Sequence, residues 1–180
     1  AANVELAAAL PPAQARAAAS QPLAEAHTPN AKSIEQLCSA LKVSPAQCLK
    51  TLLVAAQNGG VVALLVRGDH ELNAVKAGKL RGVASPFRMA NAAEVQAAAG
   101  CEPGFIGPRG LKCPIFADHS ALALADFVCG ANRLDAHLTG VNWGRDLPEP
   151  TAADLRNVVD GDPSPSGQGR LKIVRGIEVG

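Results

Sequence analysis

Two apolar runs joined by a turn signal form the clearest hydrophobic pattern in the chain. Residues 52–56 are apolar, residues 58–60 (Asn-Gly-Gly) are typical of a tight turn, and a second apolar run covers residues 61–66. This pattern predicts a buried β-hairpin. Lys50 lies at the beginning of its first strand, where an ammonium group is costly to bury unless it reaches water or meets an anion. A reaction site and a lysine whose stem covers the core while its head reaches solvent both fit this position.

Polar residues at capping positions predict the helices. Ser33 and Gln36 have the spacing of a capping box, and the apolar positions that follow predict a helix ending near Lys42. Asn91 begins a second helix of this kind, which is rich in alanine and stops at Gly100.

The remaining segments complete an α+β pattern. Residues 114–117 suit a short strand, residues 126–146 mix turns with one or two strands, and residues 171–174 are strand-like. Residues 1–21 are mostly alanine and predict a short helix, a break at a proline pair, and a second helical piece or linker. We therefore expect one compact α+β domain with a mixed, largely antiparallel β-sheet covered by helices.

Charge and composition exclude some classes of function. Seventeen basic and sixteen acidic residues give a net charge of +1, and aromatic residues make up 3% of the chain with no tyrosine. No overall field or set of stacking platforms marks a nucleic-acid binder, so any RNA contact must be local or supplied by a partner. Five widely spaced cysteines without a Cys-x-x-Cys pair suggest reduced thiols in a cytoplasmic protein, with no zinc site. Neither a signal peptide nor a membrane-spanning segment is expected.

Only two features retain chemical interest from the residues alone. The chain lacks the standard motifs of a serine hydrolase elbow, a phosphate-binding loop or a dinucleotide site, and its four histidines are far apart. Lys50 remains, together with the glycine-rich segment from Gly104 to Pro108. Such a turn can expose successive backbone amides to an ester carbonyl or its developing oxyanion, although an ordinary surface turn has the same composition.

Several motifs, in order along nearly the whole chain, resemble the insertion domain of bacterial prolyl-tRNA synthetases. They are Thr28-Pro29-Asn30-Ala31-Lys32, residues 49–54, residues 64–73, the Gly-x-x-x-Pro segment 104–108, residues 130–132 with His137, Asn142-Trp143, residues 162–165 and residues 175–180. The resemblance implies a fold of the YbaK type and hydrolysis of alanine mischarged onto proline tRNA. It also implies that residues 1–21 and 161–180 are synthetase sequence on either side of an editing domain at 22–160.

The same resemblance implies roles for the polar residues. Lys50 would bind the terminal nucleotide of the tRNA through a phosphate or ribose oxygen. The loop containing Gly104, Gly107 and Pro108 would orient the aminoacyl carbonyl and a water molecule. His137 would limit the pocket or hydrogen-bond the substrate, and its part in proton transfer stays open.

The resemblance also places the pocket for the amino acid. Thr28, Ile34 and Leu37 would line it. Asn30 and Asp126 are secondary candidates, for which we expect a structural role more than a catalytic one. No cofactor or metal is expected for editing, because ATP and magnesium would belong to the parent synthetase. The expected partners are the acceptor end of proline tRNA and the rest of the synthetase.

Two other interpretations stay open. One is a noncatalytic insertion that stabilises the synthetase or positions its tRNA. The other is a deacylase for a different small amino acid such as cysteine, against which the synthetase-like ends argue.

Overall fold

Two β-sheets organise the computed structural model, which describes residues 2–176. The strands are β1 (Ala24–His27), β2 (Leu49–Ala55), β3 (Val61–Arg67), β4 (Ile115–Asp118), β5 (Phe127–Gly130), β6 (Ala136–Val141) and β7 (Thr151–Ala153). The first sheet has the order β1-β6-β5 and is antiparallel. The second has the order β2-β3-β4-β7, in which β2 is antiparallel to β3 and the other neighbours are parallel. The helices are α1 (Ile34–Leu41), α2 (Ala74–Ala77), α3 (Ala92–Ala99) and α4 (His119–Leu122), with a 3-10 turn at Pro45–Gln47.

The predicted hairpin is confirmed as β2 and β3, which supply the centre of the core. Leu64 and Val66 are fully buried, and Lys50 pairs with Val66 in the antiparallel register. An isolated bridge between Cys48 and Val128 brings the beginning of β2 beside β5. The outer edge of β2 therefore faces the first sheet, and this is where the cavity described below lies.

The predicted helix caps are also confirmed. Ser33 and Gln36 form a reciprocal capping box at the beginning of α1, which ends at Lys42 in a left-handed conformation. Asn91 and its capping box open α3 in the same manner, and Gly100 closes it. The caps fix where α1 begins and ends, and Leu37 packs α1 against Cys48 and Val128, so local signals and apolar packing together position one wall of the cavity.

The helices expected in residues 1–21 are absent from the described part of that segment, residues 2–21. The segment is irregular and lies on the domain surface, where the Ala9 N–H donates to Asp154 and Ser20 donates through its N–H and its hydroxyl to Asp126. Helix propensity is a weak preference that such tertiary contacts override.

The strand expected at residues 171–174 is also wrong. The Leu171 N–H donates to the carbonyl of Asp162, but Ile173 and Val174 are 41% and 75% exposed, so neither face of the segment is buried. Alternating hydrophobicity without a neighbouring strand does not form a ladder. The motif at 175–180 extends outside the described residues.

Candidate active site

A cavity of about 220 Å³ lies between the outer edge of β2, the beginning of α1 and the glycine-rich loop. Five residues proposed from the sequence line it: Ile34, Leu37, Lys50, Gly104 and His137. The other lining residues are Lys32, Ser33, Leu49, Thr51, Leu52, Ile106 and Gly130. Lys50 and the glycine loop, which are far apart in the sequence, therefore share one cavity with an apolar wall.

His137 forms the centre of a buried hydrogen-bond chain beside this cavity. Its Nε2 lies 3.1 Å from the carbonyl oxygen of Gly104, and its Nδ1 lies 2.6 Å from the hydroxyl of Thr28. A carbonyl only accepts, so Nε2 carries the proton and Nδ1 of the neutral ring accepts from the Thr28 hydroxyl. His137 is 2% exposed and packs beside the ring of Phe105 at a centroid distance of 5.5 Å.

The protonation state of His137 follows from these surroundings. Burial lowers the pKa of His137, and the hydrogen bond to the Gly104 carbonyl opposes part of that shift. The ring is therefore neutral near pH 7, and both of its nitrogens are occupied within the protein. His137 fixes the glycine loop and has no free nitrogen for proton transfer.

Glycine is required where the loop packs against its neighbours. A Cβ on Gly107 would lie 1.8 Å from the carbonyl oxygen of Gly130, at the end of β5. Gly104 has a φ of +104°, and a Cβ there would lie 2.8 Å from the Cα of Lys32. These contacts fix the loop against β5 on one side and against the segment before α1 on the other.

The amides of the loop divide into two groups. The Gly107 N–H donates to the side chain of Asn132 at 2.8 Å, so it is not free for a ligand. Among residues 2–176, no acceptor pairs with the N–H groups of Gly104, Phe105 or Ile106. The candidate oxyanion donors are therefore the amides at the beginning of the loop.

The main chain of β2 also contributes, because β2 is an outer strand. Alternate residues of an antiparallel strand direct their N–H and C=O groups to opposite sides. The Cys48 carbonyl accepts from Gly68 toward β3, whereas the Leu53 carbonyl accepts from Ala90 on the other side. Thr51 has the same orientation as Leu53 and lines the cavity, so its main-chain groups are available to a ligand.

Lys50 has the environment that its position in the sequence indicated. Its side chain is 19% exposed, and its ammonium lies 3.5 Å from the carboxylate of Glu71, whose side chain is 80% exposed. The cation therefore lies at the boundary of the core with an exposed surface anion as its partner. A phosphate or another ligand anion can replace that partner at little cost.

The remaining sequence candidates lie outside the cavity lining. Thr28 is fully buried and reaches the site only through His137. Asn30 is exposed, has a φ of 61°, and its N–H donates to Asp135. Pro108 lines a separate surface depression, and Asp126 binds Ser20 and Asn142, whose hydrogen bonds lower the pKa of this carboxylate. Asp126 therefore has a structural role, and Asn30 does not contact the cavity.

Sequence reasoning missed several lining residues that lie next to predicted ones. Lys32 and Ser33 precede Ile34, Thr51 follows Lys50, and Ile106 is inside the glycine-rich loop. Their position next to predicted residues was the only indication in the sequence. Such a position does not show whether a side chain reaches the cavity or faces away from it, because that depends on how separate elements pack.

Within residues 2–176, no three His, Cys, Asp or Glu side chains lie close enough together to hold a metal ion. None of the helices in this part of the chain combines the length and the apolar character needed to cross a bilayer.

The fold and the cavity define an α+β domain whose candidate site combines two lysines, a buried histidine and main-chain groups. The family model for the aminoacyl-tRNA editing domain matches residues 28–147, a range that contains every element lining the cavity. The chain belongs to this family.

Curated relatives are similar over the whole chain. It is 53% identical to the proline–tRNA ligase of Azoarcus sp. (strain BH72) and 51% identical to that of Chromobacterium violaceum. Both alignments cover 100% of this chain, but 33% and 32% of the respective ligases. The chain thus spans about a third of the length of these relatives.

Solved structures share the fold. The hypothetical protein APE2540 superposes with a TM-score of 0.62 at 26% identity, covering 76% of this chain and 91% of that one. A proposed trans-editing enzyme for prolyl tRNA synthetase gives a TM-score of 0.65 at 23% identity, covering 76% of this chain and 87% of the other. The α+β class with a mixed sheet and few helices is therefore confirmed.

Proposed function

We propose that this chain hydrolyses the ester between alanine and proline tRNA, as the editing domain of a proline–tRNA ligase. The observation that carries the proposal is that Lys50, the Gly104 loop and His137 surround one cavity with an apolar wall. The names of the relatives support the ligase context, with the rest of that enzyme and the tRNA acceptor end as partners. Residues 22–160 are the proposed editing domain within it.

Lys50 would bind the terminal nucleotide of the tRNA. Its ammonium exchanges Glu71 for a phosphate or ribose oxygen, which anchors the ester at the mouth of the cavity. Holding an ester in one orientation beside a water molecule removes much of the entropic barrier to attack.

The main chain would stabilise the transition state. Water adds to the ester carbonyl, and the oxyanion that develops meets the unpaired amides at the beginning of the glycine loop. The bond from the carbonyl carbon to the ribose oxygen then breaks; that oxygen takes a proton, and free alanine and tRNA leave. The ribose hydroxyl next to the ester can relay the proton, so no protein nucleophile is required.

His137 would act as a positioning residue. It fixes the Gly104 carbonyl through Nε2, and Thr28 holds the tautomer that makes this bond possible. The loop amides that face the ester are thus oriented before the substrate arrives.

The apolar wall would select alanine over proline. A synthetic pocket that accepts proline discriminates poorly against a smaller side chain, because one methylene is worth only about 1–3 kcal/mol. A second and smaller pocket, with Ile34 and Leu37 on α1 as its wall, rejects the larger amino acid by steric exclusion. The hydrolytic step then removes only the error.

The test compares deacylation of alanyl, prolyl and cysteinyl esters of proline tRNA by the wild-type chain and by Lys50→Ala. We expect rapid hydrolysis of the alanyl ester only, and its loss in the variant with an unchanged thermal melting curve. Lys79→Ala is a matched control, because Lys79 is exposed and lies outside the cavity lining.

Three outcomes contradict the proposal. Equal cleavage of all three esters would remove the size-selection argument, and preferential cleavage of the cysteinyl ester would favour a different small amino acid. Absence of cleavage in both this chain and the full ligase would favour the noncatalytic insertion.

A further inference from the structure

Two lysines line the cavity at different depths. The side chain of Lys50 is 19% exposed, whereas that of Lys32 is 50% exposed. Each ammonium is paired with a surface carboxylate, Lys50 with Glu71 at 3.5 Å and Lys32 with Glu102 at 3.0 Å. The same arrangement thus occurs twice, once at the boundary of the core and once at the outer rim.

The depth of each cation indicates which part of an RNA end it can reach. If Lys50 contacts the terminal nucleotide, the chain of phosphates leaves the cavity past the rim, where Lys32 lies. The net charge of +1 supplies no general attraction for RNA, so binding depends on such local cations.

The partner of Lys32 is replaceable. The Glu102 side chain is 45% exposed, and an ion pair between two surface side chains contributes little stability. A phosphodiester arriving at the rim also releases its condensed counterions, which favours the exchange of carboxylate for phosphate.

We propose that Lys32 is a second phosphate-binding residue, which takes the phosphodiester on the outward side of the terminal nucleotide when its ion pair with Glu102 opens. The inference rests on the proposed function, because it assumes that an RNA acceptor end enters this cavity. It assigns the rim a ligand class, a single-stranded RNA phosphate, and assigns Glu102 the role of a competing anion.

A purely structural role makes the opposite prediction for Glu102. The Cα of Lys32 lies against Gly104, so the ion pair also fixes the loop to the segment before α1. If fixing the loop were its only role, Lys32→Gln and Glu102→Gln would weaken the site equally. If Lys32 binds phosphate, Lys32→Gln weakens RNA binding, while Glu102→Gln frees the cation and strengthens it.

The experiment measures binding of a fluorescently labelled RNA hairpin that ends in the unpaired acceptor nucleotides of proline tRNA and carries no amino acid. Binding is measured over a series of salt concentrations. Lys32→Gln is expected to raise Kd up to about fivefold, the effect of one surface ion pair. The slope of log K against log salt is expected to fall by about 0.7, the value for one phosphate on a single strand. Glu102→Gln is expected to lower Kd, and Lys79→Gln, an exposed lysine outside the cavity, is the matched control.

Hydrolysis of alanyl proline tRNA by the same proteins separates the two proposals. An unchanged salt slope in Lys32→Gln, or equal losses of binding in Lys32→Gln and Glu102→Gln, overturns the role of Lys32 even if the wild-type chain is an active deacylase. Failure of the wild-type chain and of the full ligase to hydrolyse the ester overturns the proposed function, whatever the binding data show. A rise in KM for Lys32→Gln with kcat little changed supports both.

Discussion

Thr28→Val tests whether the hydrogen-bond chain from Thr28 through His137 to Gly104 holds the site together. Valine keeps the shape of threonine but removes the hydroxyl that lies 2.6 Å from His137 Nδ1. Thr28 is fully buried and His137 is 2% exposed, so water does not replace the lost donor. The ring cannot change tautomer without releasing the Gly104 carbonyl, so one buried acceptor is left unpaired in either case.

The expected cost is about 1–3 kcal/mol of unfolding free energy, the penalty for a buried polar atom left without a partner. For a chain of 180 residues, each kcal/mol lowers Tm by roughly 2–4 °C. Urea unfolding followed by the fluorescence of Trp143, the single tryptophan, measures this cost directly. The nitrogen chemical shifts of His137 report whether the Nε2-protonated tautomer persists.

Thr51→Val is the matched control, since it makes the same change at a second buried threonine. The Thr51 hydroxyl is buried but makes no hydrogen bond within residues 2–176. Its removal is therefore expected to be neutral or to stabilise the fold by up to about 1 kcal/mol. If Thr28→Val is no more costly than Thr51→Val, the hydrogen-bond chain contributes nothing to stability and the argument for a fixed tautomer fails.

Two further predictions concern pH and the loop. Burial lowers the pKa of both His137 and His70. Below about pH 6.5 the unfolded state therefore binds more protons than the folded state. The free energy of unfolding keeps its full value above that pH and declines as pH falls toward the lowered pKa values of the folded state. Thermal melting at pH 7.5 and 5.5 should show this loss, and a smaller loss in His137→Gln; an equal loss in that variant would assign the dependence to other groups. Gly107→Ala should abolish ester hydrolysis, because the added Cβ meets the backbone of Gly130. Gly110 has a φ of +79° and open space around it, so Gly110→Ala should keep activity and lower the free energy of unfolding by only about 1–2 kcal/mol. Activity in Gly107→Ala would contradict the close packing of the loop.

Local signals predicted the elements that position the site. The hairpin of β2 and β3 and the caps of α1 and α3 depend on neighbouring residues, so their physics is visible in a short stretch of sequence. The helices predicted for the alanine-rich opening did not form for the opposite reason, because contacts with residues more than a hundred positions away hold this segment on the domain surface. The short β1 and β7 strands gave no pattern of their own and exist through pairing with distant partners.

The site itself was visible only in part. A lysine before an apolar run and a glycine-rich turn are recognisable from residue types, and the resemblance to a family added His137 and the α1 wall. The occupied amide of Gly107, the outward main chain of Thr51 and the rim cation Lys32 depend on how β2, β5 and the loop pack together. Such features belong to tertiary structure and leave no periodic trace in the chain.

The construction of the cavity suits the size selection that we propose for this domain. Its walls are fixed by backbone contacts that leave no room for a Cβ at Gly107 and by a histidine with both nitrogens occupied inside the protein. A wall that moved outward by the width of a methylene would admit a larger amino acid, and apolar contacts alone distinguish a methylene by only about 1–3 kcal/mol. The proposed size-based discrimination therefore requires a rigid loop and a rigid α1. The proposed hydrolysis uses a cation, amides and water, so it needs no flexible protein nucleophile in this cavity.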